Sequence, residues 1–212
     1  MPRPEAVVFD IGNVLVEWHP ARVYDREIGA AARARLFAQV DLEGMNLSVD
    51  RGRPLAEAVD ALAARHPADA HLIRLWQSRW DEMFAPVIEG SVRLLRALRA
   101  HGVPVFALSN FGRETFARAE AQHDFLRGFD RRFISGELGT LKPEPQIYAA
   151  VEAASGIAPD RLLFIDDRPE NIEAAAARSW GVQHFASPAT GPAALAARLV
   201  AEGLLPETAA GA

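Results

Sequence analysis

Apolar positions along this chain follow two rhythms. Short runs such as "VPVFALS" (103–109) and "RLLFID" (161–166) are almost unbroken, as expected of strands buried on both faces. "RRFIS" (131–135) and "VQHFA" (182–186) are weaker versions of the same signal. Between them lie segments with helical spacing. In "GSVRLLRALRAHG", Val92, Leu95 and Leu98 share one face and Gly102 suits a C-terminal cap. "EPQIYAAVEAASG" places Pro145 in a first turn and Gly156 at an end, "RPENIEAAAARSWG" predicts a helix closing at Gly181, and "GPAALAARLVAEG" supplies a last helix. Strands alternating with helices predict an α/β fold, a doubly wound, Rossmann-like parallel sheet with helices on both sides.

The opening run, "VVFDIGNVLVE" (7–17), stops at a carboxylate, Asp10. The runs ending at Asp10, Ser109 and Asp166 deliver those residues to one edge of the predicted sheet, where open α/β sheets bind ligands. Residues 17–87 break the alternation: "PLAEAVDALAARH" and "ADAHLIRLWQSRWDEMF" read as helices, "ARVYDREIGAAARARLFAQV" holds one or two more, and no strand stands out. This pattern predicts an all-helical cap over 17–87, inserted into a core made of 1–16 and 88–212 and placed to exclude water above Asp10. Trp76, Trp80, Met83 and Phe84 read first as the cap's own core, and "LPETAAGA" as a frayed tail.

Composition narrows the function. A chain of 212 residues with a formal charge of −5 has no general attraction to nucleic acid or to an anionic membrane. It has no cysteine, no apolar stretch near the ~20 residues of a membrane span, and too short an apolar run at the start for a signal peptide, so a cytoplasmic protein is expected. Of 23 basic residues every one but Lys142 is arginine, so a compact ammonium is used at a single place.

Four features converge on the strand-end edge: Asp10, Ser109-Asn110, Lys142-Pro143 and Asp166-Asp167. Singly, each has a structural reading as turn former, helix cap or surface group. Together they do not, because close carboxylates repel by roughly 4 kcal/mol per pair at an effective dielectric of 20 and demand protonation or a cation. Mg²⁺ takes such oxygen ligands and shares its shell with phosphate, while a hydroxyl and an ammonium suit the remaining phosphate oxygens.

"FDIGNVL", "ALSN", "KPEPQIY" and "FIDDRPENI" stand in the order and spacing of the four motifs of the haloacid dehalogenase superfamily, and the chain resembles its phosphatase branch with an Asp-x-Gly-Asn-Val first motif and a helical cap. The resemblance implies Mg-dependent hydrolysis of a small phosphorylated metabolite, such as a sugar phosphate, through an aspartyl-phosphate on Asp10. It implies Mg²⁺ on Asp10, the Gly12 carbonyl, Asp166 and Asp167, and phosphate on Ser109, the Asn110 amide and Lys142. Many relatives carry a general acid–base Asp where this chain has Gly12, a device typically worth roughly 10²–10⁴-fold. Either another group substitutes, with His19, Tyr24 and Asp25 as candidates, or the substrate has a good leaving group, as anomeric sugar phosphates do, or turnover is slow. Trp18, His19 and Asn46 are candidates for substrate specificity, and Asn171 for support of the acid pair. The rival readings are a 2-haloacid dehalogenase using the same Asp10, and a degenerate phosphate binder with little turnover.

Overall fold

The structure, a computed structural model, describes residues 2–210. Strand β1 (Ala6–Phe9) leads through a tight loop to β2 (Val16–Trp18). Six helices follow: α1 (Pro20–Ile28), α2 (Ala30–Gln39), α3 (Leu42–Asp50), α4 (Leu55–Arg65), α5 (Ala70–Ser78) and the short α6 (Trp80–Met83). The chain returns through β3 (Phe84–Val87), α7 (Glu89–Ala100), β4 (Val105–Ser109), α8 (Arg113–Gln122) and β5 (Arg131–Ile134). It continues with α9 (Ser135–Leu138), α10 (Pro145–Ser155), β6 (Leu162–Asp166), α11 (Pro169–Ala176), β7 (Gly181–His184), α12 (Gly191–Ala201) and α13 (Glu207–Ala210).

The five apolar runs form one parallel sheet in the order β5-β4-β1-β6-β7. The chain winds outward from β1 to β4 and β5, then crosses back to β6 and β7. Strand order therefore reverses at β1, and a crevice opens there at the carboxyl ends. Register fixes what lines it. Phe9 pairs with Ile165 and Ala107, so the next residue, Asp10, stands level with Asp166 and beside the end of β4. Alternate side chains serve opposite faces: Ala6 and Val8 join the buried cluster of Phe106, Phe164 and Trp180, while Val7 and Phe9 join a larger cluster that runs on into the helical insertion through Val16, Trp80 and Phe84. No helix among the described residues is long and apolar enough to cross a membrane.

Four sequence expectations need correction. The inserted segment is not purely helical at its ends: β2 and β3 pair antiparallel, Val16 with Val87 and Trp18 with Phe84, and clamp its entry and exit together. Helices α3 and α8 were not anticipated, although Leu42, Met45 and Val49, and Thr115, Phe116 and Ala119, make narrow buried stripes. Helix α11 ends at Ala176, five residues before Gly181, because the chain turns at Ser179 (φ 70°) to bring Trp180 edge-on against Tyr148 and Phe164. Gly181 opens β7 instead, where an added Cβ would lie 3.2 Å from the Leu162 carbonyl. The expected frayed tail is anchored over its described part, with Leu204 and Leu205 buried and α13 following; Gly211 and Ala212 lie outside the described residues.

Candidate active site

Asp10 stands one residue past β1, and its backbone N–H still donates to the Ile165 carbonyl. One oxygen of its carboxylate, Oδ1, takes three donors: the Ile11 N–H (2.7 Å), the Ser109 hydroxyl (2.6 Å) and Lys142 Nζ (2.8 Å). That crowding fixes the carboxylate plane and leaves Oδ2 as the oxygen available to a ligand. Lys142 is buried and also reaches Asp166 Oδ2 at 2.6 Å, bridging two strand tips, with its ammonium 5.4 Å from the Phe164 ring centroid. Asp166 is fully buried. Its Oδ1 accepts from the Arg168 N–H and from the Asn171 amide, which also reaches Oδ2.

Asp167 is held differently. Asn13, in a left-handed conformation (φ 56°), donates from its amide to Asp167 Oδ2 at 3.0 Å and accepts from the Trp18 N–H. One side chain thereby ties the loop after β1 to the acid pair and to β2. The Asn110 side chain is engaged in a two-point hydrogen bond with the backbone of Lys142, accepting from its N–H (2.8 Å) and donating to its carbonyl (3.0 Å). Its own main-chain N–H is what it can offer a phosphate.

Oxygen atoms of Asp10, Asp166 and Asp167 lie within 4.8 Å of one another. Three negative charges against one ammonium leave an excess of two. Burial pushes Asp10 up to about 7, opposed by Lys142 and reinforced by Asp166 and Asp167. Burial also raises Asp167, against the Asn13 hydrogen bond. Lys142 is held above its ordinary value: burial alone would lower it, and the charges of Asp10 and Asp166 outweigh that. A hard divalent cation fits the donor set of Asp10, Asp166 and Asp167 in both ligand type and charge.

The cluster forms the floor of a cavity of about 450 Å³. Its lining includes the polar Asp10, Gly12, Ser109, Asn110, Lys142 and Asp167 and the aromatic Trp18, Phe37, Trp76, Trp80, Phe84 and Phe111. These rings brace each other, Trp18 lying 5.8 Å from Trp76 and 5.9 Å from Trp80, and Phe84 lying 5.3 Å from both Trp80 and Phe111. Trp76 and Trp80 do not share one helix, because α5 ends at Ser78, yet both are buried among neighbours and face the cavity.

Asn46 lines the cavity with both ends of its amide in use: Oδ1 accepts from Trp76 Nε1 and Nδ2 donates to Asp50. His19 is not at the site. It is exposed, and its Nδ1 caps α1 by accepting the Arg22 N–H. Tyr24 and Asp25 likewise do not replace the missing acid, since Tyr24 is buried with its hydroxyl donating to the Leu72 carbonyl and Asp25 pairs with Arg33. Asn13 and Asp50 are among the residues that line the site without a role in the sequence reading. Asn13 stood inside the quoted first motif, and Asp50 ends a helix whose buried stripe of Leu42, Met45 and Val49 was readable.

Residues 4–177 match the family model described as haloacid dehalogenase-like hydrolase. Among curated proteins, enolase-phosphatase E1 of Persephonella marina is 28% identical over 121 residues, 53% of each chain, so the present chain spans about half that relative's length. A sesquiterpene phosphatase of Aspergillus oryzae is 25% identical over 179 residues, 82% of this chain and 85% of its own. Among solved structures, a HAD family enzyme of Bacteroides thetaiotaomicron has a TM-score of 0.68 at 22% identity, covering 85% of this chain and 93% of that one, which is a likeness of fold.

Proposed function

The chain belongs to the haloacid dehalogenase-like hydrolases, and we propose that within this family it is a magnesium-dependent phosphomonoesterase acting through an aspartyl-phosphate on Asp10. The observation that carries the proposal is the Lys142 ammonium, 2.8 Å from Asp10 and 2.6 Å from Asp166, set among three converging carboxylates at the floor of a cavity. Asp10, Asp166, Asp167 and the Gly12 carbonyl would hold the cation, which when bound supplies charge neutralisation between nucleophile and phosphoryl group. Asp10 attacks phosphorus with the oxygen its three donors leave open. Ser109, the Asn110 N–H and Lys142 orient the phosphoryl oxygens, and positioning of this kind supplies most of the rate in phosphoryl transfer. A dehalogenase would use Asp10 on carbon and gain nothing from the charge of the Asp166–Asp167 pair.

The body of the substrate is apolar in this reading, in place of the sugar expected from sequence. Six aromatic side chains line the cavity. The amide of Asn46, which also lines it, is already committed to Trp76 and Asp50. A sugar would bring hydroxyls against these ring faces, at a cost for each one left unpaired. The match to a sesquiterpene phosphatase over most of both chains supports an apolar body.

Phosphate release from a panel of esters tests this. 2-Naphthyl and farnesyl phosphates are expected to exceed glucose 1-phosphate in kcat/KM by roughly 10–200-fold, the range apolar pocket contacts can supply, and EDTA is expected to abolish all three activities. A preference for glucose 1-phosphate would overturn the apolar assignment. Turnover that survives chelation would overturn the metal.

A further inference from the structure

Gly12 leaves the reaction without a proton donor for the departing alcohol, yet space is not what excludes a side chain there. An added Cβ would meet only the Trp18 Cβ, at 3.9 Å. A different carboxyl group lines the same cavity. Asp50 is the last residue of α3, is only 8% exposed, and lines the cavity together with Asp10, Lys142 and Asp167.

The end of α3 is docked on the loops beneath it at several points. A Cβ at Gly112 would lie 2.6 Å from Val49 Cγ1 and 3.0 Å from the Val49 carbonyl, and one at Gly52 would lie 2.9 Å from the Gly136 carbonyl. The Ser135 hydroxyl donates to the Asp50 carbonyl at 2.6 Å and accepts from the Phe111 N–H at 2.8 Å. Arg51 pairs with Glu144, two residues beyond Lys142. These contacts place the helix end over the site rather than leaving it on a loosely held lid.

The carboxyl group itself is aimed. Asn46 Nδ2 donates to Asp50 Oδ2 at 2.8 Å, and because the Asn46 carbonyl accepts from Trp76 Nε1, the amide cannot turn its oxygen toward Asp50 without losing that bond. Among the described residues Asp50 makes no ion pair. A buried carboxylate without a counter-charge is costly to keep for structure alone.

We propose that Asp50 is the general acid–base residue of this enzyme, protonating the leaving-group oxygen and then activating water, in the place that Gly12 leaves empty. The inference rests on the phosphomonoesterase reading above. In the first half-reaction an Asp10 oxygen bonds to phosphorus as the ester P–O bond breaks. The released electron pair goes to the leaving oxygen, which takes the Asp50 proton and departs as the alcohol. In the second, water bonds to phosphorus and gives its proton to the Asp50 carboxylate. The P–O bond to Asp10 breaks, its pair returns to Asp10, inorganic phosphate leaves, and Asp50 is again protonated.

The electrostatics agree. Burial pushes Asp50 up to about 8, the Gly112 N–H acts against this and the charge of Asp10 adds to it, so the acid form is held near neutral pH. The other charged groups facing the cavity are Glu43, Lys142, Asp167 and Arg168, and of the two further carboxylates Glu43 is exposed while Asp167 belongs to the cation cluster.

The test compares wild type with Asp50→Asn on benzyl phosphate, whose alkoxide must be protonated, and on p-nitrophenyl phosphate, whose leaving group needs no proton. Asp50→Asn is expected to lower the single-turnover release of benzyl alcohol by roughly 10²–10⁴-fold, while single-turnover release of p-nitrophenol falls by less than about tenfold and so reports an intact site; steady-state turnover falls on both esters, because hydrolysis of the acyl phosphate is common to them. Asn46→Ala, which removes the donor that aims the carboxyl, is expected to show the same selectivity with a smaller loss. Equal losses in the two single-turnover release rates in both variants, or no loss in Asp50→Asn, would overturn the role of Asp50 and leave the phosphatase reading standing. A wild-type enzyme inactive on both esters would overturn the two together.

Discussion

Asp10→Asn is expected to lower phosphate release by on the order of 10⁴-fold or more, the scale seen when a covalent nucleophile is removed from an enzyme, without loss of the fold. Asparagine keeps the shape of the side chain and an oxygen for the Ile11 N–H, the Ser109 hydroxyl and Lys142, so the hydrogen bonds that hold the strand tip survive. Lys142 keeps Asp166 as its second partner. What is lost is the charged oxygen that faces the ligand. The measurement is single-turnover phosphate release beside a thermal unfolding scan of the same preparation. A cooperative transition with activity within tenfold of wild type would place the nucleophile elsewhere.

Lys142→Met carries the second large effect, on stability as well as activity. Methionine fills much of the same volume but removes the one positive charge between two buried carboxylates. Removing one partner of a buried ion pair costs roughly 3–5 kcal/mol, and that loss is expected in denaturant titrations at neutral pH in the presence of a chelator. The pH dependence has a definite sign. Lys142 opposes the burial that holds Asp10 at about 7, so without the ammonium Asp10 rises further. Well below that value Asp10 is protonated in both folded proteins, so the deficit is smallest in acid and grows as pH rises through about 7. A deficit constant across pH would mean that Lys142 contributes packing rather than charge.

Much of this was legible in the sequence because the sheet imposes simple rules. A strand buried on both faces must be an unbroken apolar run, and such a run ending in Asp10, Ser109 or Asp166 announces a polar strand tip. The rarity of lysine marked Lys142, which the structure places between two of those tips. The inserted helices were harder to read. The apolar buried stripe of α3 is three residues in nine, and the proposed role of Asp50 depends on α3 docking against Gly112 and Ser135, more than sixty residues away in the chain. No local pattern encodes such a contact. His19 was a plausible cavity residue by its position beside Trp18, but capping α1 turns it away from the site. The same distinction lies behind the proposal of an apolar substrate: sequence spacing could name Trp18, Trp76 and Trp80, and only the structure shows that they line the cavity.

The claim at the centre of this account is that Asp10 becomes covalently phosphorylated. The most direct test is to quench the enzyme during turnover of 2-naphthyl phosphate with Mg²⁺, reduce with borohydride, and analyse the peptide containing Asp10 by mass spectrometry. Reduction of an acyl phosphate converts that residue to homoserine, and the account predicts this change at Asp10 with substrate and Mg²⁺ present and its absence when either is withheld. An unmodified Asp10 in an enzyme trapped while releasing phosphate in the steady state would contradict it.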